Sequence, residues 1–220
     1  MSKKIIDVAD AVSKIEDGMT IMIGGFLGNG SPHTIIDALV KKGVKNLTII
    51  TNDTGIKDSG VGRLIYNNMV SKVIASHIGT NPETGRQMNE KIIEVELVPQ
   101  GTLAERIRSG GAGLGGVLTP TGLGTIVAEG KQIIEVDNKL FILEKPLRAD
   151  VSILLGETVD KKGNIIYSNT ARNFNPVMAT AADIVIVEAE NIVEVGTINP
   201  NEVVTPRIFV DYIVGSDYNG

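Results

Sequence analysis

At 220 residues and 42% hydrophobic composition, the chain can bury one large α/β domain, or a main domain with a small excursion. Aromatics are only 4% and tryptophan is absent, so the core must be aliphatic; a net charge of −5 without a Lys/Arg run argues against nucleic acid as the main ligand. Cysteine is absent, which excludes disulfides, thiolate metal sites and a cysteine nucleophile.

In chain order, Val8, Ala11, Val12 and Ile15 stand at helical spacing and predict a first helix over 7–15. An acid at Asp7 interrupts the N-terminal stretch before any apolar leader forms, and no apolar run approaches the roughly 20 residues of a membrane span. A cytoplasmic protein without membrane contact is therefore expected. The run 19–23 is short, apolar and partly β-branched, as a buried parallel strand would be. A glycine loop follows, then a helix over 32–42, with Ser31 as N-cap, Pro32 at the first helical position and Gly43 as the left-handed stop. Strands are predicted over 47–51, 73–76 and 92–98, and a helix over 102–108. Asp137-Asn138 forms a two-residue turn between strands 132–136 and 139–143. Strands over 151–155 and 164–168 flank Lys161-Lys162-Gly163, Asn175-Pro176 opens a short helix, and 183–188 is a strongly apolar strand. With no repeat or linker, the expected fold is a single domain over 1–220. It is an open three-layer α/β/α architecture with a mostly parallel sheet and a β-rich hairpin portion around 130–170.

The segment from Asp17 to Pro32 concentrates the chemistry. A buried strand runs into Gly24, Gly25, Gly28 and Gly30 and then a helix start, exposing backbone N–H groups and the positive end of a helix dipole to an anionic ligand. The order Asp17-Gly18, Ile21 to Ile23, Gly24-Gly25-Phe26, Gly30 and Pro32 resembles, without departure, the signature of the first (alpha) subunit of family I CoA-transferases, of the 3-oxoacid type. The resemblance continues through 47–52, Pro99 to Arg108, the second glycine loop with Thr119-Pro120-Thr121-Gly122, and Ala171 to Pro176. The stretch Gly113 to Thr119 is closer to the acetate/acetoacetate type than to the succinate-using type.

That resemblance implies movement of CoA between short-chain carboxylic acids, acetate, butyrate or acetoacetate, through an acyl-glutamyl anhydride and a glutamyl-CoA thioester. The nucleophilic glutamate belongs to a Ser-Glu-Asn-Gly motif of the second (beta) subunit, and that motif does not occur in these 220 residues. The chain is thus expected to act as one subunit of a hetero-oligomer, a heterotetramer with the beta subunit, with its active site at the interface. By resemblance, Gly24, Gly25, Phe26, Leu27, Gly28, Asn29 and Gly30 bind CoA, which is a substrate; no tightly bound cofactor or metal is implied. Asn52, at a strand's carboxyl end, donates its amide to the oxyanion, a contribution worth roughly 10²–10³ in rate. Gln100, Gly113, Gly115 and Gly116 are candidates for substrate contact.

Each of these residues also has a plainer reading. Asn52 alone would be an Asx-turn residue, the glycine loops turns or connectors, and Glu105, Arg106 and Arg108 a solvated or subunit-facing charge set. His33 and His77 lack partners at metal or triad spacing and read as structural. Glu83 and Glu144 stand beside nothing that resembles a nucleophile motif. A sugar-phosphate isomerase of similar fold would need a complete acid–base set in this chain, and a non-catalytic metabolite-binding module would need none.

Overall fold

The computed structural model describes residues 4–218. In chain order its first half comprises α1 (Val8–Val12), β1 (Thr20–Ile23), α2 (His33–Lys42), β2 (Leu47–Ile50), α3 (Gly62–Tyr66), β3 (Val70–Ala75), α4 (Pro82–Asn89), β4 (Glu94–Leu97) and α5 (Gln100–Gly111). The second half comprises β5 (Val117–Thr119), β6 (Ile133–Val136), β7 (Lys139–Glu144), β8 (Ala149–Asp160), β9 (Ile165–Ile166), α6 (Asn175–Met178), β10 (Ala182–Val193) and β11 (Tyr212–Gly215).

The main sheet has the order β11-β10-β8-β1-β2-β3-β4, with all neighbours parallel and β9 antiparallel on β8. Period-2 alternation divides the aliphatic strands between two layers. Ile21, Ile23, Ile49, Val73, Val151 and Ile153 face one core with α1, α2 and α3, built on Ile35, Leu39 and Leu64. Met22, Ile50, Ile74, Leu154 and Val187 face the other with α5 and α6, built on Leu103, Ile107 and Met178. The three-layer reading holds.

The path fixes where a ligand can bind. From β1 the chain steps outward to β4, returns to the other side of β1 at β8, and steps outward again to β11. The order therefore reverses between β1 and β8, and crevices open beyond the carboxyl ends of strands at such a point. The glycine loop follows β1 there, and Asn52 follows the neighbouring β2.

Several expectations change. The β-rich portion divides: 117–144 forms a separate antiparallel sheet of order β5-β7-β6, whereas β8 lies inside the main sheet. The turn between β6 and β7 is as predicted, with Asp137 and Asn138 at φ 50° and 59°, both positive as a type I′ turn requires. Gly43 ends α2 at φ 77°, but its N-cap is Pro32; Ser31 instead donates its hydroxyl to the Gly24 carbonyl at 3.1 Å. The helix predicted over 102–108 begins at Gln100 and runs to Gly111, absorbing the start of the second glycine loop. A Cβ at Gly110 would lie 1.9 Å from the Leu147 carbonyl oxygen, so close packing is why glycine stands there. Arg106 is not solvated: it is buried, with Nη1 2.6 Å from Glu96 and Nε donating to the Lys145 carbonyl at 2.8 Å. Only Glu105 and Arg108 pair on the surface. Among the described residues no helix is long and apolar enough to cross a membrane.

Candidate active site

The glycine loop is a miniature hairpin. Phe26 and Asn29 exchange both backbone hydrogen bonds, at 2.9 and 3.0 Å, around Leu27 and Gly28 at φ 51° and 89°. Phe26 and Leu27 are left exposed at its tip. The loop is held from outside. Gly25 N–H donates to Asn173 Oδ1 at 3.1 Å, Asn173 Nδ2 donates to the Asn29 carbonyl at 3.1 Å, and Asn175 Nδ2 donates to the Gly30 carbonyl at 3.0 Å. Asp53 completes the hold: its Oδ2 accepts from Leu27 N–H at 3.0 Å and its Oδ1 from Gly55 N–H at 2.7 Å. Nothing local in the sequence marks Asp53, Asn173 or Asn175 as loop anchors, because their partners lie 26, 148 and 145 residues away.

The positive end of α2 is already occupied. Ile35 N–H donates to Glu188 Oε2 at 3.1 Å, and Glu188 Oε1 accepts from Ser216 Oγ at 2.7 Å. Glu188 is 0% exposed, a built-in anion where the sequence suggested an external one. The N–H groups of Gly24, Gly25, Phe26, Leu27 and Asn29 are taken inside the protein, so what the loop offers a ligand is its remaining backbone, at Gly28 and Gly30, and its exposed tip. Behind it lies a cavity of about 220 Å³ whose lining includes Gly28, His33, Glu188, Glu190 and Tyr218. Burial, with Glu157 and Glu188 nearby, pushes the Glu190 carboxyl above its ordinary range. His33 has the structural part expected of it, its Nε2 lying 3.1 Å from the Gly28 carbonyl. Among the described residues no group of three or more His, Asp or Glu is placed to hold a metal.

Asn52 and Gln100, 48 residues apart, are brought together. Gln100 Nε2 donates to Asn52 Oδ1 at 2.6 Å, and Asn52 Nδ2 donates to the Gly25 carbonyl at 2.8 Å. One chain of hydrogen bonds thus runs from the glycine loop through Asn52 to the first residue of α5. Gly113, Gly115 and Gly116 are not part of this group. They follow α5 at its far end, which twelve residues at ~1.5 Å of rise each separate from Gln100. Gly116 abuts the Glu144 carbonyl, where a Cβ would lie at 2.5 Å. Glu144 is paired with Lys131 at 2.6 Å, and Glu83 with Arg86 at 2.6 Å, which holds the Glu83 carboxyl down at about 2. Both therefore sit as structural ion-pair members.

Three comparisons bear on this arrangement. Residues 5–216 match the coenzyme A transferase family model. The chain is 53% identical over 216 residues to the acetate CoA-transferase subunit alpha of Escherichia coli strain K12, covering 98% of each. It is 53% identical over 214 residues to the acetoacetyl-CoA:acetate/butyrate CoA transferase alpha subunit of Clostridium acetobutylicum, covering 97% of this chain and 98% of that one. In fold it resembles an acyl-CoA transferase from E. coli O157:H7, solved as a thioester complex with CoA, at TM-score 0.86 and 23% identity; the likeness covers 98% of this chain but only 48% of that one. It also resembles glutaconate coenzyme A-transferase from Acidaminococcus fermentans, at TM-score 0.85 and 18% identity, covering 97% of this chain and 75% of that one. A full-length family match, two full-length relatives above half identity and a glycine loop at the switch point of a parallel sheet agree: the chain belongs to the coenzyme A transferase family.

Proposed function

We propose that residues 1–220 form a single domain that serves as the alpha subunit of a short-chain acyl CoA-transferase. It exchanges CoA among acetate, butyrate and acetoacetate in the cytoplasm and pairs with a beta subunit, in a heterotetramer, that supplies the nucleophilic glutamate. The names of the two relatives at 53% identity support the substrate class. The observation that carries the assignment of parts is the hydrogen-bonded line Gly25–Asn52–Gln100. It ties the loop assigned to CoA to an amide pair assigned to the reacting carbonyl.

The chemistry suits these groups. A carboxylate attacking a thioester places negative charge on the carbonyl oxygen, and preorganised amide donors stabilise that charge without a proton transfer. Residues Gly24 to Gly30 hold the CoA ester through backbone groups, with Phe26 and Leu27 exposed beside it. Gln100 stands at the carboxyl end of the sheet for the carbonyl or carboxylate oxygen, with Asn52 hydrogen-bonded behind it. Gly113, Gly115 and Gly116, beyond the far end of α5, serve as a separate contact for the ligand, in a stretch where a Cβ at Gly113 or Gly115 would meet nothing within 4 Å. The isomerase alternative is disfavoured because Asp53, the carboxylate adjoining Asn52, is committed to two backbone N–H groups.

The test is reconstitution. The purified chain alone should show no CoA transfer between acetyl-CoA and acetoacetate or butyrate, and should gain it with a glutamate-bearing partner. Robust transfer by the chain with the partner shown to be absent overturns the reading.

A further inference from the structure

A side chain that donates to a developing oxyanion must reach it, and here the two amides differ sharply. Asn52 is 1% exposed, whereas Gln100 is exposed on the first turn of α5. Both ends of the Asn52 carboxamide are engaged inside the protein, Nδ2 on the Gly25 carbonyl and Oδ1 under Gln100 Nε2. Its orientation is fixed as well. Turning the amide over would set Oδ1 against the Gly25 oxygen and Nδ2 against a Gln100 donor, breaking two hydrogen bonds and creating two like-polarity contacts.

We infer that Asn52 serves the transfer reaction as a positioning residue, acting through Gln100. It anchors one N–H of the Gln100 carboxamide, so that the remaining N–H is held for an oxygen acceptor of the substrate. Left unanchored, an exposed glutamine samples many rotamers and must give up that freedom each time it binds. The backbone beneath it is already rigid: Pro99 precedes α5 at φ −52°, and Leu103 N–H closes the first turn on the Pro99 carbonyl at 2.8 Å. The last freedom to remove is the side chain's, and Asn52 removes it. Because Asn52 also donates to Gly25, the same contact sets the spacing between Gln100 and the glycine loop. Hydrogen bonds in series polarise one another, so the anchored amide is the better donor.

The inference rests on the transferase reading, and the experiment separates the two. Wild type, Asn52→Ala, Gln100→Ala and the double variant are assembled with the partner subunit, and kcat and KM are measured beside melting temperature and assembly state. If Asn52 works through Gln100, each single change lowers kcat/KM by on the order of 10²-fold, the scale of a misplaced contact group. The double variant then lies within about threefold of Gln100→Ala, because the second change removes nothing further. Should Asn52→Ala fail to assemble, Asn52→Ser retains a hydroxyl near the Gly25 carbonyl and takes its place in the cycle. Three results overturn the inference. They are a loss from the Asn52 change that persists in full on the Gln100→Ala background, a Gln100→Ala enzyme as fast as wild type, and an Asn52→Ala enzyme as fast as wild type. Absence of CoA transfer in the wild-type complex instead overturns the functional reading.

Discussion

At the scale of single residues, the glycines of the first loop separate into two kinds. Gly28 has φ +89°, and a Cβ there would fall 1.9 Å from Ser59 Oγ, a side chain that can turn away. Gly30 has φ +75°, and its Cβ would fall 2.5 Å from the Ala171 carbonyl oxygen, which cannot. Gly28→Ala should therefore raise KM for the CoA ester and cost about 1–2 kcal/mol, the strain of a side chain in the left-handed region, and Ser59→Ala in the same chain should recover the contact part of the KM effect but not that strain. Gly30→Ala should lower the melting temperature further, adding roughly 1–3 kcal/mol of overpacking to the same backbone strain. Steady-state kinetics with melting curves separates the two; equal behaviour would contradict the contact difference. Asp53→Ala should behave as a loop variant too, since it leaves the Leu27 and Gly55 N–H groups without their acceptor, at roughly 1–3 kcal/mol for the buried Gly55 donor and less for Leu27 at the exposed tip. Of these residues, the glycine loop and the place of Asn52 at a strand's end could be read from sequence, because motif and strand end are local; what Asn52 touches could not. Asp53 and Asn173 were not legible, because their anchoring role exists only once distant segments meet.

Among the elements, α2 and β10 form a coupled pair. Glu188 on β10 supplies the charge that α2 needs at its first turn, accepting from Ile35 N–H. Glu188→Ala should lower stability by roughly 1–3 kcal/mol, the cost of an unsatisfied buried donor together with a lost charge–dipole contact. Glu190, two residues on, titrates in the opposite sense from a paired carboxylate. Burial, then Glu157 and Glu188, raises its folded pKa above its unfolded value, so the folded state binds more protons between the two. Stability contributed by this group is then present at low pH and falls as pH rises through that window. Glu190→Gln should accordingly raise the melting temperature at pH 7 and leave it unchanged below the ordinary carboxylate range; a gain of equal size at both pH values would deny the linkage. Element legibility followed locality. The β6–β7 turn is written in two adjacent residues, whereas α3, α4, β5 and β11 were missed. Short or polar runs such as Pro82–Asn89 and Val117–Thr119 become helix or strand through the neighbours they pack on.

Across the whole molecule, a line of charge joins the small antiparallel sheet to the main one. Lys131 pairs with Glu144 at 2.6 Å, Glu144 lies 3.8 Å from Arg106, and Arg106 reaches Glu96 on β4 at 2.6 Å. Glu144 is 1% exposed, so its removal leaves Arg106 with one carboxylate and Lys131 with none. Glu144→Ala should cost roughly 1–3 kcal/mol, less than the removal of a fully buried partner, because Lys131 can turn toward water. Hydrogen exchange should locate the loss in β5, β6 and β7 before the main sheet; uniform loss across both sheets would argue against this coupling. The amino-acid sequence by itself determined the layer class, the position of the glycine loop, the β6–β7 hairpin and the family. Each depends on a local pattern: short apolar runs between helical spacings, a strand–glycine–helix order, a two-residue turn. Tertiary structure alone decided that Glu188 fills the helix terminus offered to a ligand, that Arg106 is interior, and that Asn52 is buried beneath Gln100. Burial and hydrogen-bond partnership depend on which remote segments are brought into contact, and a charge or an amide carries no local mark of the neighbour that will cover it.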